Sequence, residues 1–247
     1  MAVDLGDWSL IWEDKGQLLD GLATAVEVSL LSLVLAVVIG LVIALMRMTT
    51  GPLSWIAWLY INIFRGLPAL VTALWVYFGL ALALDVKLSP FQAGVITLTA
   101  LYSAYIAEIF RSALLAIPRG HREAGQALGM RGTRVFFSVV LPQATKIAVP
   151  NIGSMFIGMI KDTSTLTLIG LVEVVRTTQN IVSLNFQYFP LYSAAAIIYI
   201  LVAFVVDALF RGVEGGYTIP PKGAFSRLLR ARRQRQINRL MAEPAHI

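Results

Sequence analysis

The sequence predicts an all-α, polytopic membrane protein with five transmembrane helices, on the grounds of its composition, its apolar stretches and its charge distribution. Of its 247 residues, 57% are hydrophobic and 14% are charged, whereas soluble domains are about half apolar and about a quarter charged. Stretches long enough to cross a bilayer as a helix, about 20 residues each, recur along the chain. Basic residues cluster after alternate stretches, a pattern that is typical of cytoplasmic segments.

Five apolar stretches are candidate spans, and one of them contains a break. The second stretch is interrupted by Arg65-Gly66-Leu67-Pro68, where proline and glycine disfavour a continuous helix. We therefore expect a short interfacial helix over residues 53–64, followed by a span over residues 66–84. The other four predicted spans cover residues 22–46, 91–110, 147–171 and 190–210.

The distribution of lysine and arginine predicts the orientation of the spans. If residues 1–21 lie outside, sixteen of the 20 basic residues fall on the inner side of the membrane, and inner loops carry the excess of such residues. We therefore divide the chain into an outer N-terminal segment (1–21), a transmembrane domain (22–211) and a basic cytoplasmic tail (212–247). The transmembrane domain includes a cytoplasmic loop at 112–146.

The composition argues against several kinds of site. The chain has no cysteine, and neither of its two histidines lies in the HExxH spacing of a metal site. No phosphate-binding loop of the form GxxxxGK followed by Ser or Thr occurs. The basic residues are not interleaved with aromatic residues as they are in nucleic-acid binders. We expect no metal site on this chain.

The loop at 112–146 is predicted to form a rigid protrusion on the cytoplasmic side. A helix over residues 121–128 should stop at Gly129, because glycine adopts a positive φ without strain. A second short helix can start at Gly132-Thr133 and should end before Pro142. Two short helices held at an angle suit a groove on a partner protein.

The identities within this loop resemble a known family. The pattern E-A-A-x3-G-x9-I-x-L-P marks the inner-membrane permeases of binding-protein-dependent ABC importers, which share the type I ABC importer permease fold. Here glycine stands at the third position where the family usually has alanine, and valine replaces isoleucine. The residues that carry the resemblance are Glu123, Ala124, Gly125, Gly129, Val139, Leu141 and Pro142.

Other segments resemble the polar amino-acid permeases of this family, of the histidine, glutamine, glutamate and arginine type. Residues 64–68 are similar to the family's F-R-G-T/S-P segment, with Leu67 in place of threonine or serine. Residues 104–111, 117–120, 141–144 and 161–164 also match the subfamily in the expected order.

The resemblance implies a permease subunit in the bacterial inner membrane, with its N-terminus in the periplasm and its C-terminus in the cytoplasm. It implies three kinds of partner: a pair of cytoplasmic ABC ATPases, a second permease in a homodimer or heterodimer, and an extracytoplasmic solute-binding protein. The loop at 112–146 would dock on the ATPase. ATP and Mg would bind the ATPase, so this chain would hold no cofactor and would not be an enzyme.

Ionisable residues inside the predicted spans need partners, water or a ligand. Lys161 and Asp162 lie near mid-depth of the fourth span and, with Thr163 and Ser164, either line a path for an amino acid or form ion pairs between helices or subunits. Adjacent helical residues diverge by about 100°, so Lys161 and Asp162 should not pair with each other. Four further residues are expected to be structural or to act at a gate, namely Arg65, Pro68, Glu108 and Arg111. Glu108 and Arg111 are three residues apart and should form an ion pair.

Two other functions fit part of the pattern. An ATP-independent channel or ion-coupled transporter would explain the charges within the spans, but it would leave the ordered loop unused. A membrane scaffold for a cytoplasmic enzyme would explain the loop, but not Lys161 and Asp162 at mid-depth.

Overall fold

The computed structural model of the chain describes residues 6–217, and no strand occurs among them. The all-α prediction is confirmed. The predicted basic tail lies outside the described residues apart from residues 212–217. In chain order the helices are α1 (Leu10–Glu13), α2 (Lys15–Arg47), α3 (Pro52–Gly66), α4 (Ala69–Leu74), α5 (Ala81–Ala83), α6 (Pro90–Leu115), α7 (Arg119–Ala127), α8 (Gly132–Val135), α9 (Leu141–Asp162), α10 (Val174–Asn185) and α11 (Tyr188–Tyr217).

Three segments of non-α helix continue these elements. A π-helix joins α4 to α5, a second π-helix joins α8 to α9, and a 3-10 helix extends α9. Their bounds are Trp75–Leu80, Phe136–Val140 and Thr163–Ile169, respectively.

The described helices agree with five crossings, one of them broken. Four are long and apolar enough to cross a membrane: Lys15–Arg47, Pro90–Leu115, Gly132–Ile169 and Tyr188–Gly212. The fifth crossing is the pair Pro52–Gly66 and Ala69–Ala83, provided that the two helices count as one bent span.

The second apolar stretch breaks where the sequence predicted. Its two helices are bent by 108°, and both residues between them, Leu67 and Pro68, are extended. Proline lacks an N–H and disfavours the helical conformation of the residue before it. This explains why α3 ends at Gly66 and a new helix starts at Ala69.

Helix α6 lies at the centre of the bundle and packs against α2, α3 and α9. Small residues permit these close approaches. A β-carbon added at Gly40 of α2 would lie 3.0 Å from the carbonyl oxygen of Ser103, and one added at Gly158 of α9 would lie 3.0 Å from the Tyr102 hydroxyl. The backbone of α2 therefore comes close to the backbone of α6, and the backbone of α9 comes close to the Tyr102 side chain.

One expectation about the cytoplasmic loop is wrong, because the helix that begins at Gly132 does not end before Pro142. It continues through the π-helix Phe136–Val140 into α9, so that Gly132–Ile169 is one continuous helix. Pro142 falls in the first turn of α9. Pro142 comes just after the π-helix Phe136–Val140, whose wider pattern of backbone hydrogen bonds replaces the regular α-helical pattern that a proline disrupts.

A helix that the sequence reading did not predict, α10, lies between the fourth and fifth spans. It packs against α2 and α11, and it buries Val174, Ile181 and Val182. Threonine, glutamine and asparagine interrupt its apolar residues, so a search for long apolar stretches passes over it.

Candidate functional site

The break in the second span borders a cavity of about 490 Å³, which we call the break pocket. The chain between α3 and α4 forms one wall, α6 forms the second, and α9 with the start of its 3-10 extension forms the third. The lining residues are Leu67, Pro68, Ala69, Leu70, Leu101, Tyr102, Tyr105, Met155, Gly158, Asp162 and Thr165.

Asp162 places a carboxyl group in the break pocket. The hydroxyl of Tyr102 donates a hydrogen bond to Asp162 Oδ2 over 3.0 Å, and Tyr102 lies near the middle of the spanning helix α6. Asp162 is half-buried. An acidic group thus lies beside a cavity and opposite the middle of α6, and an ionisable group within a membrane-spanning helix is a functional-site candidate by default.

Three hydroxyl residues follow Asp162 and have a local structural role, namely Thr163, Ser164 and Thr165. Each donates a hydrogen bond to the carbonyl oxygen three residues earlier, over 2.7 to 2.8 Å. These bonds fit the tighter 3-10 geometry of this segment. Thr165 lines the break pocket, whereas Thr163 is fully buried.

Lys161 lies on a different side of α9 from Asp162. It borders a separate groove of about 450 Å³ between α9 and α11, together with Asp207 and Arg211. Arg211 Nε lies 2.7 Å from Asp207 Oδ2 in an ion pair. The structure therefore does not bring Lys161 and Asp162 into one cavity, although the sequence grouped them.

Arg65 and the Glu108–Arg111 pair lie toward the C-terminal end of α6. The guanidinium of Arg65 is 5.5 Å from the centre of the Tyr105 ring, a cation–π distance, and the Tyr105 hydroxyl donates to the Arg65 carbonyl oxygen over 3.3 Å. Glu108 accepts hydrogen bonds from Arg111 Nε and Nη2, the shortest being 2.8 Å. The predicted ion pair between Glu108 and Arg111 is present.

The α7–α8 hairpin turns at Gly129. This residue has φ +77°, a conformation that favours glycine, and it ends α7 as predicted. The Met130 N–H donates to the Gly125 carbonyl oxygen over 3.1 Å, which closes the turn in the manner of a helix C-cap. A β-carbon added at Gly125 would lie 3.0 Å from a methyl group of Val135, so alanine at this position would crowd the contact between the two helices.

The exposed surface of the hairpin includes Glu123 and Ala124. Val139 and Leu141 are half-buried, while Pro142 is exposed. The base of the hairpin is closed by a hydrogen bond of 2.7 Å between His121 Nδ1 and Gln143 Oε1. Of the residues that carry the sequence pattern, Glu123, Ala124 and Pro142 are therefore exposed, whereas Gly125 is buried between the two helices.

Glu173 is a buried acidic residue that the sequence reading missed. Its side chain is fully buried and accepts hydrogen bonds from the N–H groups of Val175 and Arg176 at the start of α10, over 2.9 and 2.8 Å. The hydroxyl of Tyr199 on α11 also donates to it over 2.7 Å. Burial raises the pKa of this carboxyl above its ordinary value, against the lowering effect of these hydrogen bonds. Glutamate is not a preferred N-cap residue, so no sequence signal marked it.

Comparison with known families gives one match that covers most of the described chain. Residues 36–218 match the family described as "Binding-protein-dependent transport system inner membrane component".

Individual proteins are similar over nearly their whole length. The chain is 37% identical to the glutamine transport system permease protein GlnP of Escherichia coli strain K12 over 210 residues, which cover 84% of this chain and 96% of GlnP. It is 31% identical to the histidine/lysine/arginine/ornithine transport system permease protein HisQ of the same strain, over 87% of this chain and 99% of HisQ.

A solved structure shares the fold. A crystal structure of an amino acid ABC transporter with histidines contains a chain that is 32% identical, with a TM-score of 0.78. The match covers 87% of this chain and 99% of the other.

Proposed function

This chain belongs to the family of binding-protein-dependent transport system inner membrane components, and we propose that it is the permease subunit of an ATP-driven importer of polar amino acids. Its fold is that of the type I ABC importer permeases. The observation that carries the proposal is the break pocket, where Asp162 lies opposite the middle of α6 and beside the break between α3 and α4.

The break pocket has the size and chemistry to hold an amino acid. Its volume of about 490 Å³ falls within the range of small-molecule sites. The carboxylate of Asp162 offers an ionic partner for the α-ammonium group that every amino acid carries. We therefore assign Asp162 to the translocation path, with Pro68 keeping the span open at the break.

Lys161 receives a different role. It shares its groove with the Asp207–Arg211 ion pair. Its ammonium group therefore does not line the break pocket, where it could bind the carboxylate of a solute. We propose that Lys161 contributes to ion pairing between helices or with the second permease. Of the two roles that the sequence left open, Asp162 takes the first and Lys161 the second.

The α7–α8 hairpin is proposed to dock on the cytoplasmic ATPase. Glu123 and Ala124 are exposed at its surface, and the helix Gly132–Ile169 leads from the hairpin directly to Asp162. A displacement of the hairpin when the ATPase pair binds ATP would therefore move a wall of the break pocket. This continuity supports alternating access driven by a partner ATPase, with ATP and Mg held by that partner.

The remaining features of the assembly are proposals of the same kind. We place the N-terminus in the periplasm and the C-terminus in the cytoplasm because basic residues are concentrated on the inner side; reporter fusions at the two termini test this. A second permease, identical or similar, completes the path, and an extracytoplasmic solute-binding protein delivers the amino acid.

The test of this proposal is uptake per assembled complex. Replacing Asp162 by asparagine keeps the size of the side chain but removes its charge, so we expect at least about a tenfold loss of amino-acid uptake, equivalent to one charge-assisted contact. The matched control is Lys161→Gln on the adjacent residue, which should lower uptake per complex much less. Unchanged uptake by assembled Asp162→Asn complexes would contradict the assignment.

A further inference from the structure

A second cavity lies between the end of α2 and the α7–α8 hairpin, and we infer that it binds the phosphate group of an anionic membrane phospholipid. Its volume is about 320 Å³, and we call it the hairpin pocket. It shares no lining residue with the break pocket. The inference therefore goes beyond the proposed function, since it concerns a lipid and not the transported solute.

The hairpin pocket lies where a membrane span ends. Its wall on α2 is formed by Leu45 and Met48, at the end of the spanning helix Lys15–Arg47. The side chain of Arg47 donates a hydrogen bond to the Ser54 hydroxyl over 2.8 Å, and the next residue, Trp55, is exposed. Arginine and tryptophan at the end of a span are typical of the headgroup region of a bilayer.

Arg122 supplies a donor for a phosphate group. It lines the hairpin pocket, and its Nη2 donates only a long hydrogen bond of 3.4 Å to the Leu114 carbonyl oxygen. Its Nε is buried and has no hydrogen-bond partner among the described residues, which costs free energy unless another group accepts from it. Phosphate oxygens accept from guanidinium groups, often through two parallel hydrogen bonds. The side-chain amide of Gln126, also in the lining, offers a further donor.

The apolar part of the lining favours a phospholipid over inorganic phosphate. Five of the eight lining residues are apolar, and inorganic phosphate would gain nothing from them. The first carbons of an acyl chain would bury apolar surface there. The volume lies at the lower end of the range of small-molecule sites, so most of the lipid would remain in the bilayer. The apolar lining residues are Leu45, Met48, Val135, Phe136 and Val140.

The charge around the hairpin pocket favours a lipid with net negative charge. Residues 119–135 contain four arginines and one glutamate, and Arg119, Arg131 and Arg134 are exposed. Basic clusters directly beside the end of a membrane span attract anionic headgroups. A zwitterionic phospholipid carries the same phosphate, but it would gain less from this excess of positive charge.

An acidic side chain of the ATPase is a weaker candidate for this cavity. The surface proposed to dock on the ATPase includes Glu123, which is exposed. Arg122 points to a different side of α7, because adjacent helical residues diverge by about 100°, and it bonds to the end of α6. The hairpin pocket therefore lies toward the membrane spans and away from the docking surface.

The experiment counts the lipids that the purified permease–ATPase complex retains in native mass spectrometry. The complex is incubated with equal concentrations of phosphatidylglycerol, which is anionic, and phosphatidylcholine, which is zwitterionic. We expect the wild type to retain phosphatidylglycerol at least about tenfold more tightly than phosphatidylcholine, and Arg122→Gln to lose most of this preference. The matched control, Arg134→Gln, removes a charge from the exposed face of the same hairpin and should keep the preference.

A second pair of variants tests the apolar wall without changing Arg122. Met48 lines the hairpin pocket and is exposed, so Met48→Glu places a carboxylate where it repels a phosphate group. Retention of phosphatidylglycerol should fall by about tenfold. Met48→Gln has the same size without the charge and should retain the lipid. This pair decides the inference if Arg122→Gln does not assemble.

Three results would overturn the inference. The first is equal retention of the two lipids by the wild type. The second is displacement of phosphatidylglycerol by an equal concentration of inorganic phosphate, which would assign the pocket to free phosphate. The third is unchanged lipid retention by assembled Arg122→Gln, and a simultaneous loss of the ATPase would then assign the pocket to that partner.

Discussion

Glu173 shows how a single side chain can connect elements that are far apart in the sequence. It caps α10 through two backbone N–H groups and also accepts a hydrogen bond from Tyr199 of α11. On its other side, α2 comes so close that a β-carbon at Gly21 would lie 3.0 Å from the carbonyl carbon of Glu173. Residues of α2, α10 and α11 therefore meet at Glu173.

Replacing Glu173 by alanine should destabilise the chain by about 2 kcal/mol, because the helix loses its cap and the Tyr199 hydroxyl loses its acceptor. The measurement is the midpoint of thermal unfolding in detergent. Glu27→Ala removes an exposed acid from α2 and serves as the matched control, with an expected effect within about 0.5 kcal/mol. Equal effects of the two substitutions would show that Glu173 does not hold these helices together.

The pH dependence of stability offers a second check on Glu173. Burial raises the pKa of the folded-state carboxyl above 4.5. The contribution of this group to stability is therefore fully present when the pH is below the pKa that the group has in the unfolded chain. The contribution is lost as the pH rises through the folded-state pKa. The stability advantage of the wild type over Glu173→Gln should therefore shrink as the pH rises from below the unfolded-state pKa through the raised folded-state pKa, and a growing advantage would contradict the burial effect.

Single residues also show what the sequence could and could not predict. The spacing of Glu108 and Arg111 predicted their ion pair, because residues three apart on a helix are neighbours wherever the helix packs. The helical angle between Lys161 and Asp162 predicted that they diverge. Which of them faces a cavity depends on how α9 packs against α6 and α11, and no local pattern contains that information.

At the scale of elements, the α7–α8 hairpin and α9 form one continuous piece of structure. The sequence predicted the turn at Gly129, since glycine at the end of an amphipathic helix is a local signal. It did not predict that α8 runs on into the fourth span, because a π-helix allows Pro142 to lie within a helix that proline alone would end. The continuity means that the hairpin and the break pocket can move together.

Gly129→Val should weaken association with the ATPase and reduce uptake. The cost arises from the backbone, since φ is +77° and open space surrounds the position; a β-branched residue is a genuine outlier there, and even an unbranched one costs about 1–2 kcal/mol. The measurement is co-purification of the ATPase with the inserted permease. Gly120→Ala, in the helical part of α7 and also in open space, is the control and should retain association. Full association of Gly129→Val would argue against a rigid docking hairpin.

At the scale of the whole molecule, hydropathy and the Gly66–Pro68 break predicted most of the architecture. Spans are long apolar stretches and proline disrupts helices, so the five crossings and the break were accessible from the sequence. Helix α10 and the two π-helices were not, because tertiary packing rather than local composition determines them. The break pocket follows from the same packing, since it needs the break, α6 and α9 to meet.

The central claim is that this chain conducts amino acids only when a partner ATPase drives it. The direct measurement is amino-acid uptake into proteoliposomes that contain the purified permease with its ATPase and solute-binding protein, with and without ATP. We expect uptake to require ATP and to be abolished by Glu123→Lys, which reverses the charge at the exposed surface of the α7–α8 hairpin. Uptake of the same rate without ATP would identify an ATP-independent channel or transporter and would contradict the account.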